Sequence, residues 1–372
     1  MTAVLQRPGP TDAAIAGVHA TAYRVPSEMP ESDGTFEWRE TTMVVVEATA
    51  GGVTGVGYTY ASCAAVNIIH DHIARALQGS NAMAVPACWA TMVREVRNVG
   101  RPGVASMAVA AVDNALWDLK ARILNLPLVT LLGAARASIP VYGSGGFTSY
   151  SIPDLEQQCA RWVAEGINAV KMKVGRDAAA DVQRVERARA AIGTRAMLFV
   201  DANGAYDRKQ ALAQAEGFAA AGVSWFEEPV SSDDVEGLRF LRDRVPPGMR
   251  IAAGEYAYVP GDFRRLLDAG AVDVLQADAT RCGGITGFLA ASALCDAYAI
   301  PLSAHTAPTL HAHVCCAAPR AIHAEYFHDH VRVEHLLFDG ALRARDGRLS
   351  PDLTRPGMGL SVKRTDAARY AA

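Results

Sequence analysis

From Ile139 onward the chain alternates short apolar runs with longer amphipathic ones, and this alternation limits the fold more than anything else in the sequence. The apolar runs are Pro140–Gly143, Ala169–Val174, Met197–Asp201, Ser224–Glu227, Ile251–Glu255, Val272–Asp278, Pro301–His305 and Ala321–Phe327. Between them lie helical stretches such as Ile152–Glu165, Asp177–Ile192, Arg208–Ala221, Val235–Val245, Pro260–Ala269 and Ile285–Tyr298. Such alternation predicts a parallel sheet covered by helices. Eight strands at spacings of ~20 to 30 residues fit a (β/α)8 barrel, a fold of ~250 residues. The last helix reads as short or missing, because Pro319 and several histidines occupy the space after Pro308.

The first part of the chain follows another pattern. Strand-like runs at Ala16–Tyr23, Thr41–Ala48 and Gly55–Tyr60 precede helical periodicity at Ala65–Gln78, Pro86–Val99 and Ser106–Leu124. Strands followed by helices predict an α+β unit at 16–137, capping the barrel at 138–330. Residues 1–15 read as a disordered tail. Residues 331–372 return to turn signals, with Asp339-Gly340, Asp346-Gly347 and Pro356-Gly357, and are expected to pack back on the cap. The stretch from Pro26 to Trp38 is too rich in Pro, Ser, Asp and Gly for a regular element and predicts a loop; because it carries Phe36 and Trp38, a lid that touches substrate is expected.

Composition narrows the function. Half of the 372 residues are hydrophobic and a fifth are charged, with a formal net charge of -3, so nothing suggests a polyanionic partner, and nucleic acid is excluded as an expectation. The seven cysteines are odd in number and scattered without a C-x-x-C pair, as in a reducing compartment. No run of 18 apolar residues occurs, and the first 16 residues do not resemble a signal peptide. The expectation is a cytoplasmic protein with no membrane partner.

The expected strand ends carry the chemistry. In Val170-Lys171-Met172-Lys173 the alternation of a strand puts both lysines on one face. Adjacent ammonium groups disfavour each other's protonation, which predicts a lysine with a lowered pKa, since a useful base needs a fall of roughly 3 units from the ordinary ~10.4. The next strands end in Asp201, Glu227 and Glu255, then Asp278, His305 and Glu325. Carboxylates on three consecutive strands repel one another unless a cation joins them, so Asp201, Glu227 and Glu255 are expected ligands of a hard dication, Mg2+. Asp278 beside His305 can hold the imidazole in one tautomer. Lys173 then faces a second base across the barrel.

The set Lys171-Met-Lys173, Asp201-Ala-Asn203, Glu227-Glu-Pro229, Gly254-Glu255, Gln276-Ala-Asp278-Ala-Thr-Arg281-Cys-Gly-Gly284, His305 and Glu325 resembles the enolase superfamily, specifically its mandelate racemase subgroup. Ala111-Val-Asp113-Asn114-Ala-Leu-Trp117-Asp118-Leu119 and Pro127-Leu-Val-Thr-Leu-Leu-Gly133 resemble that family's cap helices, and the likeness runs from about Ala16 to the C-terminus. The resemblance implies an α/β fold, a modified (β/α)7β TIM barrel with an N-terminal α+β capping domain. It implies Mg2+ on Asp201, Glu227 and Glu255, with Lys173 and His305 as opposed acid/bases and Asp278 as partner of His305. Lys171 would neutralise the carboxylate of a small carboxylic acid substrate, a protonated Glu325 would donate to it, and Asn203 would touch a hydroxyl. Abstraction of the α-proton through an enediolate is implied, with dehydration of an aldonate or aldarate to a 2-keto-3-deoxy acid favoured. Racemisation, epimerisation or lactone cycloisomerisation would use the same residues. A homo-oligomer between dimer and octamer is implied as well.

Two readings from other classes stand beside this one. A zinc hydrolase would draw on His305, His311, His313, His323, His328, His330 and His335, among which His311-Ala-His313 has ligand-like spacing. A non-catalytic binding barrel would leave the acid/base groups without purpose. Cys282 lacks an identifiable base and reads as a turn residue, while Arg281 reads as an ion-pair partner of Asp278 or Glu255.

Overall fold

The computed structural model describes residues 13–372. The N-terminal unit is a three-stranded antiparallel sheet of β1 (Ile15–Ser32), β2 (Glu37–Ala50) and β3 (Val53–Tyr60), in that order. Most of the expected tail lies outside the described residues, but its last three do not belong to a tail. Ala13 and Ile15 are buried, and Ile15 opens β1 opposite Ala50.

The long helix Ser106–Ile123 lies across β3 at a distance that only glycine permits. A Cβ on Gly55 would sit 2.4 Å from Ala115 O, and one on Gly57 2.3 Å from Ala111 O. The polar residues of this helix fasten the cap to the rest of the chain. Asn114 donates to Ala279 O and accepts from Ile285 N, and Asp113 accepts from Thr286 N. Asp118 accepts from Val56 N and Met358 N.

The barrel strands are β4 (Ile139–Gly145), β5 (Ala169–Lys173), β6 (Met197–Asp201), β7 (Val223–Glu227), β8 (Arg250–Ala253), β9 (Val274–Ala277), β10 (Leu302–Ala304) and β11 (Ala321–Phe327). They pair in parallel and in sequence, and β11 closes on β4 through Ala324 opposite Val141. Outward side chains such as Val170, Met172, Val200 and Phe226 merge with the helices into one core. The expected weak last helix is corrected: Pro308–Ala317 is a fully formed buried helix, and His328–Leu337 follows β11. This helix after β11 runs across the expected boundary at 330. The segment after it reaches both units, because Arg348–Leu349 pairs with the start of β4 while Arg364 bonds Glu47 of the cap.

The expected lid loop is also corrected. Residues 26–32 continue β1, and β2 begins at Glu37, so the region is a projecting hairpin with Glu31 opposite Trp38. An irregularity between Pro26 and Glu31 absorbs the prolines, which cannot donate to a ladder. Long-range pairing overrides the local turn composition. Its tip is an Asx turn, with Asp33 Oδ1 accepting from Thr35 N and Phe36 N. The tip is pinned on the barrel: Thr148 N donates to Ser32 O, Thr148 Oγ1 to Asp33 O, and Ser149 Oγ to Pro30 O. Among the described residues no helix is long and apolar enough to cross a membrane.

Candidate active site

Inside the barrel, the period of two sorts side chains into layers. Tyr142, Phe199 and Trp225 form an apolar floor with His323, Phe199 and Trp225 stacking at 5.3 Å. Two residues further along these strands stand Ser144, Asp201, Glu227 and Glu325, and β5 adds Lys171 and Lys173. Register sets Lys173 beside Asp201 and Asp201 beside Glu227. Asp201, Glu227 and Glu255 each offer a carboxylate oxygen within 4.8 Å of the others, and all three are buried. Glu255, expected as the last residue of its strand, lies beyond the end of β8. Gly254, at φ +132°, makes the bend, and a Cβ there would meet Gln276 O at 2.2 Å.

This donor set fits a hard dication. Glu255 Oε2 makes no hydrogen bond, although His305 Nε2 lies 3.3 Å away. Burial, and then the charge of Asp201, hold the Glu227 carboxyl well above its usual range. A fourth carboxyl, Glu228, is likewise pushed up by burial and then by Glu255. The sequence reading missed Glu228, which turns away from the strand at φ 37°. Acidic groups this crowded call for a positive charge among them.

The expected lowering of the lysines is overturned. Burial does push both down, but Lys171 Nζ lies 2.5 Å from Glu227 and 2.9 Å from Glu325, and Lys173 Nζ lies 2.5 Å from Asp201. These carboxylates outweigh burial and hold both ammonium groups above their usual range. The protonated Glu325 is corrected for the same reason. Burial raises its pKa, but Lys171 and then His305 outweigh that and hold the carboxyl below its usual range. Glu325 accepts from Thr306 N at 2.9 Å. Asp201 is held low in the same way, burial being outweighed by Lys173 and Lys171.

His305 Nδ1 meets Asp278 Oδ2 at 2.8 Å. Asp278 also accepts from Thr280 N and Thr280 Oγ1, which fixes the carboxylate behind the ring. Burial would raise its pKa, but the bond to His305 and the nearby cations hold it below the usual range. Arg281 contacts Glu255 at 3.4 Å and Asp278 at 3.7 Å, the ion pairing expected of it. Asn203, at φ +45°, accepts from Lys173 Nζ through Oδ1 at 3.0 Å.

A cavity of about 360 Å³ opens above this layer. Lys173, Asn203, Glu255, His305 and Glu325 line it from the barrel, and Phe36 and Trp38 from the hairpin. Lys171 is fully buried and stands off this wall, among the carboxylates. Trp38 packs edge-on against Phe147 at 5.5 Å and donates to Glu31, whereas Phe36 is 64% exposed. Tyr60, Tyr256 and His330 also line the cavity; His330 enters the sequence reading only in the zinc set, and the two tyrosines enter it as no part of a site. Tyr60 and His330 stack at 3.3 Å across the cap–barrel boundary. The histidines of the zinc reading disperse. His311 bonds Ala279 N and Thr306 O, His323 lies in the floor, and the acidic triad is the one metal-capable cluster among the described residues.

The fold and site together define an enolase-type barrel with its cap. Two family models match the chain, the mandelate racemase / muconate lactonizing enzyme N-terminal domain over residues 15–133 and the enolase C-terminal domain-like family over 154–367. The chain belongs to the mandelate racemase / muconate lactonizing enzyme family of the enolase superfamily. It is similar to the crystal structure of a mandelate racemase/muconate lactonizing enzyme-like protein from Rubrobacter xylanophilus, at 54% identity and a TM-score of 0.95 over 96% of this chain and 100% of that one. It is 32% identical to the 3,6-anhydro-alpha-L-galactonate cycloisomerase of Streptomyces coelicolor over 93% of this chain and 96% of that protein. It is 31% identical, with a TM-score of 0.87, to the L-talarate dehydratase of Polaromonas sp. JS666 complexed with Mg and L-glucarate, over 96% of this chain and 97% of that one.

Proposed function

We propose that the protein removes the α-proton of an acid sugar in a Mg2+-dependent reaction and dehydrates it to a 2-keto-3-deoxy acid. The observation that carries this reading is that two acid/base groups, Lys173 and His305, line one cavity beside the buried triad Asp201, Glu227 and Glu255. When bound by that triad, Mg2+ supplies positive charge to a substrate carboxylate as its negative charge grows. The L-talarate dehydratase that holds Mg and L-glucarate supports both the metal and the reaction.

Each protein group then has a task. Lys173 takes or returns the proton on one face of the substrate, held by Asp201 and by Asn203 Oδ1. With Asp201 engaged by a dication, the main force keeping Lys173 protonated weakens. His305 works from the other side, its ring fixed through Nδ1 by Asp278 so that Nε2 faces the cavity. In dehydration it protonates the departing β-hydroxyl. Lys171 adds a fixed positive charge beneath the substrate carboxylate, where the low dielectric strengthens it. The hairpin excludes water.

The test is to incubate purified, Mg2+-loaded protein with a library of acid sugars and to assay 2-keto-3-deoxy products. Failure of every member would end the dehydration reading. A second reading, cycloisomerisation or epimerisation, is favoured by the similarity to the anhydrogalactonate cycloisomerase over almost the whole chain. Solvent deuterium entering the α-carbon without a keto product would select it.

A further inference from the structure

Resting on the acid-sugar reading, we infer that this site takes monocarboxylates with an uncharged, hydroxylated tail, aldonates in preference to aldarates. The cap's share of the cavity wall carries the argument. It comprises Asp33, Glu40, Thr41, Thr42, Tyr60 and Ser62 beside the aromatic pair Phe36 and Trp38. Its charged members are both acids.

Among the described residues, every cation lining the cavity is already matched. Lys173 is bonded to Asp201 at 2.5 Å, and Arg281 is shared between Glu255 and Asp278. The hairpin's own arginines stand off the wall and face its acids, Arg24 near Glu40 at 3.9 Å and Arg39 near Glu37 at 3.8 Å. Arg176 meets the same Glu37 at 3.3 Å. His330 is buried, which holds its imidazole well below its usual range and leaves it neutral. A diacid that presents one carboxylate to the metal would set the other against Glu40 and Asp33 with no free cation to receive it. Asp33 is buried, so a second carboxylate beside it meets little screening, while Glu40, with its side chain 54% exposed, adds a weaker repulsion.

The same wall suits a polyol. A carboxylate such as Glu40 accepts hydrogen bonds from sugar hydroxyls, and Thr42 and Ser62 can donate or accept. The rings of Trp38 and Tyr60 offer apolar faces to the carbon skeleton. Thr41 is already committed, donating to Asp329.

The experiment compares six-carbon aldonates with aldarates of matching stereochemistry, using the full-length Mg2+-loaded protein. Three readouts are taken: kcat/KM for 2-keto-3-deoxy product, α-proton exchange in D2O, and calorimetric binding. We expect the best aldonate to exceed its aldarate by about 100-fold or more in kcat/KM and to bind more tightly, as juxtaposed like charges require. Glu40→Arg should narrow that ratio at least about 10-fold and Glu40→Gln less, in the order of the charge removed. Aldarates that dehydrate as well as aldonates would overturn the inference and leave the acid-sugar reading intact. Aldonates that bind and exchange without dehydrating would uphold the inference and remove the dehydration reading. If neither class binds or exchanges, both fall.

Discussion

The floor of the barrel and the layer above it are built from the same strands, two residues apart, and they do opposite work. Phe199, Trp225 and His323 fill the lower space with rings, while Asp201, Glu227 and Glu325 fill the upper one with charge. Below, each contact lowers the energy of the folded chain through burial. Above, ionisable groups are taken from water at a cost that their mutual pairing only partly offsets. A barrel can hold such a layer because the rings beneath it and the helices around it supply the stability. The two layers meet in one bond, Trp225 Nε1 to Glu227 Oε2 at 2.9 Å.

This contrast can be broken or sharpened by substitution. The largest effect is expected from Lys173→Ala, which should lower kcat by about 10³-fold or more, with the loss confined to the stereoisomer whose proton faces Lys173. Equal loss for both α-epimers in deuterium exchange would contradict the opposed bases. Asp278→Asn should cost roughly 10²-fold or more in kcat with little change in KM, since the ring of His305 loses its fixed orientation. In the floor, Phe199→Ala should reduce unfolding free energy by about 3 kcal/mol or more by opening a buried cavity, measured by urea denaturation.

Trp225→Phe tests the link between layers. It keeps most of the ring but removes the donor to Glu227, and Mg2+ affinity measured by calorimetry should fall about 10-fold or more while stability changes less. The smallest effect belongs to neither layer. Glu31, a buried residue of the hairpin itself, is pushed up to about 8 by burial and by Asp329. Its protonated form is favoured in the folded state, so its contribution is fully present below the ordinary value of 4.5 and is lost as pH rises through about 8. Glu31→Gln should therefore flatten the decline of Tm between pH 5 and pH 8, as far as the opposing Arg332 and neighbouring Glu28 permit.

The upper layer was legible because a strand's period is fixed. Asp201, Glu227, Asp278 and His305 each end or follow an apolar run, Glu325 lies two residues before the end of one, and alternation alone puts Lys171 and Lys173 on one face. The protonation of those lysines was not legible, for it depends on which carboxylates other strands bring within 3 Å. The hairpin was misread for a similar reason. The prolines and acids of Pro26–Trp38 argue locally for a loop, and only the pairing with β2 makes them a strand. Tyr60 and His330 come from segments 270 residues apart, and neither carries a local mark of the stack they form.

The bonds that pin the hairpin tip to Thr148 and Ser149 bear on the cavity as well as on the hairpin. While they hold, Phe36 and Trp38 keep their places on the cavity wall, so any loosening of the tip would redraw that wall. The outline of the space above the charged layer is thus set as much by Thr148 and Ser149, which never touch it, as by the rings that line it.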